Sequence, residues 1–135
     1  MATAEDILMG KGPDIIVATP TTTVQEAVIL MCEANVGAVV IKNQSELFGI
    51  FTERDLLRRV IVPGRAPERT ELREVMTAPV RSVSLNTNVQ ECGEILTNEH
   101  LRHLAVIEND ALLGMISLRD VLAWELAEEQ RRLAV

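Results

Sequence analysis

The sequence predicts an α+β protein made of one β-α-β-β-α unit written twice, and two observations carry that prediction. The first is an internal repeat. Setting Gly49 over Gly114, an offset of 65 residues, also carries Leu47 onto Leu112, Arg54 onto Arg119 and Asp55 onto Asp120. Without a gap, the same offset carries Thr22, Val24, Gln25 and Glu26 onto Thr87, Val89, Gln90 and Glu91. Two ordered clusters in one register exceed coincidence. The second observation is that short β-branched runs alternate, in each copy, with stretches whose apolar residues recur at helical spacing.

Each copy opens with a short apolar strand, Ile15 to Val17 in the first and Val80 to Val83 in the second. Thr22 to Gln25 and Thr87 to Gln90 then read as capping boxes that start a helix. Val24, Ala27, Val28 and Met31 share one face of the first helix, as Val89, Cys92 and Leu96 do in the second. Two strands follow as a hairpin around a polar turn: Ala38 to Ile41 with Leu47 to Phe51, then Leu104 to Ile107 with Ala111 to Ile116. A closing helix begins near Thr52 in one copy and Ser117 in the other.

The domain boundaries follow from the punctuation. Residues 1–62 form the first repeat with a lead-in helix around Ile7 and Leu8, and 63–70, with two prolines and a glycine, form a linker. Residues 71–135 form the second repeat, with its own lead-in from Leu72 to Met76 and an extended final helix. Each unit alone makes a small core. Packing the two sheet against sheet is expected to bury more and to leave matched clefts between them.

Composition narrows the function. In 135 residues the formal charge is −7, which opposes nonspecific nucleic-acid binding. Only Phe48, Phe51 and Trp124 are aromatic, so a bound flat ring must lie between aliphatic side chains and backbone. No run of about 18 apolar residues or secretory leader is present, and a cytoplasmic protein with no membrane partner is expected. Cys32 and Cys92 fall among apolar helical residues and read as buried free thiols. His100 and His103 lack a third ligand at a recognised spacing, so no metal site is expected.

The strongest local signal is Gly49-Ile50-Phe51-Thr52-Glu53-Arg54-Asp55 and its partner Gly114-Met115-Ile116-Ser117-Leu118-Arg119-Asp120. Both run from a strand end into a helix start. Thr-x-x-Asp and Ser-x-x-Asp are capping boxes in their own right. Yet an Arg before the Asp opposes the helix macrodipole, and it recurs in both copies. Helix-end N–H groups, a hydroxyl and Arg suit a phosphate, while Asp suits paired ribose hydroxyls.

These residues resemble those of the CBS (cystathionine β-synthase-type) domain pair, the pseudo-twofold Bateman module, over nearly the whole chain. The Gly-h-h-(Thr/Ser)-x-x-Asp ending is that family's ligand motif. Arg102-His103-Leu104-Ala105-Val106-Ile107 resembles its R-H-L-P-V-h strand with Ala105 in place of Pro, and Gly37-Ala38-Val39-Val40 is a looser copy. The resemblance implies one site of Asp120, Ser117, Arg119, Met115, Ile116 and His103 with Ile15 and Ile16. It implies another of Asp55, Thr52, Arg54, Ile50 and Ala38 with Thr77, Pro79 and Val80. Each would take an adenosine compound (AMP, ADP, ATP, S-adenosylmethionine or NAD) as a regulatory ligand, with the Asp120 site tighter because His103 adds a donor.

The resemblance further implies a homodimer through helix faces, to which the apolar residues of the long last helix would contribute. The functional expectation is a nucleotide sensor that signals to an effector protein. The alternative is a protein–protein scaffold with vestigial clefts. With no nucleophile–base pair or metal set in either copy, no enzyme and no catalytic cofactor are expected.

Overall fold

The computed structural model describes residues 1–11 and 15–134. In chain order the elements are α1 (Ala4–Lys11), β1 (Val17–Ala18), α2 (Val24–Ala34), β2 (Ala38–Asn43), β3 (Glu46–Thr52) and α3 (Glu53–Asp55). There follow α4 (Leu72–Val75), β4 (Ser82–Val83), α5 (Val89–Asn98), β5 (His103–Glu108), β6 (Ala111–Ser117) and α6 (Leu118–Leu133). Short α3 runs on as a π-helix over Leu56–Ile61, and Pro67–Arg69 form a 3₁₀ turn. The β-α-β-β-α order occurs twice, as the repeat requires.

Each repeat builds one three-stranded sheet, ordered β1-β2-β3 and β4-β5-β6. The first pair in each is parallel, joined across a helix, and the second is an antiparallel hairpin. Even the irregularities repeat. The register slips between Ile41 and Lys42 in one hairpin and between Val106 and Ile107 in the other, one bulge written twice. The second hairpin turns on Asn109 and Asp110, both left-handed, the conformation a two-residue I′ turn demands and one that Asn and Asp tolerate.

Helix α2 is capped one residue later than Thr22-to-Gln25 implies. Thr23 Oγ1 accepts the Glu26 N–H at 3.2 Å, and Glu26 Oε1 accepts the Thr23 N–H at 2.9 Å. In the second copy Asn88, not Thr87, caps α5 by accepting the Glu91 N–H at 2.7 Å. The threonines before the caps have another task. Thr22 Oγ1 accepts from the Thr19 N–H and Thr87 Oγ1 from the Ser84 N–H, each at 3.1 Å, closing the turn into the helix. A side-chain oxygen committed to the preceding turn leaves capping to its neighbour.

The chain forms two compact units: one spans Ile15–Val80, and the other joins the N-terminal helix to the segment from Arg81 onward. Sequence repeat and compact unit are thus different partitions of one chain, because the lead-in helices are exchanged. In the first unit Leu72 donates its N–H to Thr22 O at 2.9 Å, Val24 donates to Thr70 O at 2.8 Å, and Leu72 and Val75 enter the core. That core comprises Val24, Ala27, Met31, Val39, Ile41, Phe51 and Val60 as well. In the second unit α1 docks the same way: Ala4 donates to Thr87 O at 2.8 Å and Val89 to Ala2 O at 3.0 Å. Ala4 and Ile7 pack with Val89, Cys92, Leu96, Leu104, Val106, Ile116 and Val121.

The two cysteines differ. Cys92 is buried as its helix face requires, whereas Cys32 is exposed. Met31, one residue before Cys32, takes the inward position, and a step of one residue on a helix turns the side chain about 100° away.

Candidate functional site

Both glycine-led corners form as strand-to-helix turns, and both are capping boxes. Thr52 N–H donates to Asp55 Oδ2 at 3.0 Å while Asp55 N–H donates to Thr52 Oγ1 at 3.2 Å. In the second copy Ser117 N–H donates to Asp120 Oδ2 at 2.8 Å and Asp120 N–H to Ser117 Oγ at 3.0 Å. The first N–H of each helix is also taken, Glu53 by Gly37 O at 3.0 Å and Leu118 by Arg102 O at 2.9 Å. Of the N–H groups the sequence offered to a phosphate, the first and third therefore serve the corner itself.

Glycine is required at the head of each motif by close approach. A Cβ on Gly49 would lie 2.8 Å from both Met76 Sδ and Thr77 O, and one on Gly114 would lie 2.7 Å from Leu8 Cδ2. The lead-in segment of each unit thus runs directly over the glycine of the ligand motif.

Beyond that point the copies diverge. In the first unit the chain leaves α4 and pairs with the edge of β3, Thr77 N–H to Ile50 O at 2.8 Å and Ile50 N–H to Thr77 O at 3.0 Å. Thr77 Oγ1 then donates to Asp55 Oδ1 at 2.9 Å. Arg59 Nε lies 3.6 Å from the same oxygen, and an Arg59 N–H donates to Met76 O at 2.6 Å. Asp55 is only 6% exposed, with both carboxylate oxygens held by the protein's own groups. Ala38 stands opposite Thr52 in register, Ile50 is buried, Arg54 is exposed, and Pro79 and Val80 follow Thr77 across a cis Ala78–Pro79 bond.

In the second unit α1 continues to Lys11 in place of an extended pairing segment. Lys11 Nζ donates to Met115 O at 2.9 Å and to Asp120 Oδ2 at 2.7 Å. One ammonium does here what the amide and hydroxyl of Thr77 do in the first unit, since Met115 and Asp120 match Ile50 and Asp55. The Asp120 side chain keeps 21% of its surface exposed. Partial burial pushes its carboxyl upward, but the Lys11 and Ser117 hydrogen bonds and the Lys11 charge outweigh that and hold it below the ordinary Asp value. His103 stands opposite Ser117 in the β5–β6 register, half-buried, and Arg119 is exposed. Ile116 is fully buried in the core, so only its backbone is presented at the corner.

Sequence reasoning therefore assembled Ser117, Asp120, Met115 and His103 around one corner, and Thr52, Asp55, Ile50, Ala38 and Thr77 around the other. Ile15 and Ile16 lie before β1 in the first unit, where Ile16 O accepts the Val40 N–H at 2.8 Å. Lys11 and Arg59 were missed. Arg59 stands one helical turn after Asp55, an i,i+4 signal that the sequence did offer. Among the described residues no cluster of three His, Cys, Asp or Glu side chains is arranged to hold a metal ion, and no helix is long and apolar enough to cross a membrane.

The CBS domain family model matches residues 4–62 and again 72–127. The chain belongs to the CBS domain family. It is 33% identical to the mitochondrial CBS domain-containing protein CBSX3 of Arabidopsis thaliana, over 97% of this chain and 68% of that protein. It is 29% identical to the CBS domain-containing protein YhcV of Bacillus subtilis, over 85% of this chain and 81% of that protein. Among solved structures it resembles a putative signal-transduction protein with CBS domains from Burkholderia ambifaria, with a TM-score of 0.90 and 34% identity over 93% of this chain and 95% of that one. CBS pairs are in general regulatory, ligand-binding modules, and the similar solved structures are of stand-alone tandem CBS proteins.

Proposed function

We propose that this CBS pair is a regulatory module that binds an adenosine compound of the AMP, ADP, ATP, S-adenosylmethionine or NAD class and signals its presence to a partner protein. The observation that carries this reading is the Asp120 corner. There the carboxylate and hydroxyl of Asp120 and Ser117 stand at the start of a long helix, with His103 opposite Ser117 in register, the Lys11 ammonium on the carboxylate and that carboxylate still accessible. Aliphatic side chains form the adenine slot and the acid takes the ribose hydroxyls. The module is no enzyme and acts in the cytoplasm; its signal is a change of state, which requires the ligand to bind one conformation better than another.

A homodimer through helix faces is part of the proposal. Leu57 and Ile61 of the first repeat are exposed by 59% and 55%, and their repeat equivalents on α6, Leu122 and Leu126, by 56% and 61%. The same apolar pair is thus presented by both closing helices, as a subunit contact would use it. Assembly has precedent among related structures: a hexameric CBS-CP12 protein of bloom-forming cyanobacteria is 27% identical, with a TM-score of 0.81 over 91% of this chain and 72% of that one.

A scaffold with vestigial clefts is the second reading, and the Asp55 corner favours it, because Thr77 and Arg59 already occupy the carboxylate there. Calorimetric titration with AMP, ATP, S-adenosylmethionine and NAD, with GTP as control, decides between them. Saturable binding of an adenosine compound that is lost on Asp120→Ala supports the sensor. Absence of binding by all four, with partner capture unchanged in the Asp55→Ala, Asp120→Ala double variant, establishes the scaffold.

A further inference from the structure

We propose that Lys11 selects the ligand of the Asp120 site, admitting adenosine compounds that carry an anionic phosphate and rejecting the sulfonium S-adenosylmethionine. The inference rests on the sensor reading and narrows it to one ligand class and one site per chain.

The argument starts from donor and acceptor inventory. An ammonium has three N–H donors. Lys11 commits one to Met115 O and one to Asp120 Oδ2, and among the described residues no acceptor takes the third, the donor proposed for a ligand oxygen. Asp120 Oδ2 is shared between Lys11 and the Ser117 N–H, and among the described residues no donor is found on Oδ1. The pair therefore offers an open carboxylate oxygen beside an open ammonium donor. A sugar hydroxyl and an anionic oxygen of the same ligand satisfy both without breaking the ion pair.

Charge gives the selection its sign. Lys11 neutralises Asp120, so a ligand meets the pair as a dipole whose positive end is the ammonium. A phosphate gains a charge-assisted hydrogen bond from the Lys11 ammonium, whereas a sulfonium gains none and is repelled by it. Lys11 and Asp120 are about one-third and one-fifth exposed, enough for contact with ligand and shielded enough for charge to matter. Lys11 is one of two lysines in the chain, and no ammonium occupies the matching place at Asp55, where Thr77 and Arg59 close the carboxylate. Asp55 is accordingly a structural clasp, and binding is one ligand per chain.

The test is titration of the wild-type protein, Lys11→Met and Lys11→Arg with AMP, ATP, adenosine and S-adenosylmethionine, with circular dichroism confirming the fold. Wild type is expected to bind AMP or ATP at one site per chain, at least tenfold tighter than adenosine or S-adenosylmethionine, the scale of a charge-assisted hydrogen bond. Lys11→Met should erase that ratio and Lys11→Arg should keep most of it. Wild type binding adenosine or S-adenosylmethionine as tightly as AMP overturns the selection while leaving the sensor reading intact. So does Lys11→Met strengthening all four ligands equally, which makes Lys11 a plug. Failure of wild type and Lys11→Met alike to bind any of the four overturns the sensor reading and this inference with it.

Discussion

Thr77 donates its hydroxyl to Asp55 Oδ1 at 2.9 Å, and the residue that was read from sequence as a ribose acid is thereby tied to the segment that follows α4. The same segment pairs with Ile50 on both its N–H and C=O. At the matching corner a lysine from the N-terminal helix takes over, and Asp120 stays accessible. Two copies of one motif thus carry different burdens: the first holds its unit together and the second faces outward.

Unequal stability costs follow. Asp55→Ala removes the reciprocal cap of α3 and strands the Thr77 hydroxyl and Arg59, a loss of about 2–4 kcal/mol. Asp120→Ala removes a cap that water partly replaces, a loss of about 1 kcal/mol. Thr77→Val, which keeps the shape and deletes the donor, should cost about 1–3 kcal/mol. Urea midpoints of the three variants check this, and equal losses for the two aspartates would contradict the clasp.

The two motif glycines should also differ. The methyl of Gly49→Ala meets a backbone carbonyl, Thr77 O, as well as the Met76 sulfur. The methyl of Gly114→Ala meets only the far end of Leu8, which can rotate away. Gly49→Ala is expected to cost about 1–3 kcal/mol by overpacking, and Gly114→Ala less than about 1 kcal/mol. Thermal melts of the two variants measure the difference.

The fold was legible in the sequence because repetition and apolar period are both local signals. Strand and helix order, the hairpin turns and the inward faces of α2 and α5 were all read from spacing alone. The cap of α2 was misplaced because Thr22 and Thr23 are chemically alike, and only the turn from Thr19 decides which one caps. The site was legible only where the repeat offset held. Ser117, Asp120 and His103 keep step with Thr52, Asp55 and Ala38. Lys11 does not: α1 continues for three residues beyond Leu8, whereas the chain after Met76 turns extended, so no alignment of the two copies sets Lys11 against Thr77. A contact made by a long side chain from an exchanged helix leaves no periodic trace.

Thiol chemistry offers a direct check on the α2 face. Cys32 is exposed, while burial, followed by the charge of Glu91, raises the Cys92 thiol above its ordinary value. The thiolate is the reactive form, so Cys92 is doubly protected. A chromogenic disulfide reagent should label one thiol of the native protein rapidly and the second only on addition of denaturant. Cys32→Ser should abolish the fast phase and leave the slow one. Two fast thiols in the native protein would show that the α5 face opens readily.

The Lys11–Asp120 pair fixes a pH dependence whose sign can be worked out. Asp120 is held below its ordinary value of 3.8 in the folded protein, burial notwithstanding, by hydrogen bonds from Lys11 and Ser117 and by the Lys11 charge. A carboxyl depressed by folding makes the unfolded chain bind the proton first, so its contribution is fully present above the unfolded value and is lost as the pH falls through the lower folded one. The urea midpoint of wild type should therefore exceed that of Asp120→Asn at pH 7, and the gap should close as the pH drops below 3.8. Lys11→Met should narrow the same gap at pH 7, because it removes the largest of the groups that hold Asp120 ionised. A gap equal at pH 7 and pH 3, or one unmoved by Lys11→Met, would mean that the pair is not formed in solution. Its absence would leave the Asp120 corner without the ammonium that takes, in the second unit, the place held by Thr77 in the first.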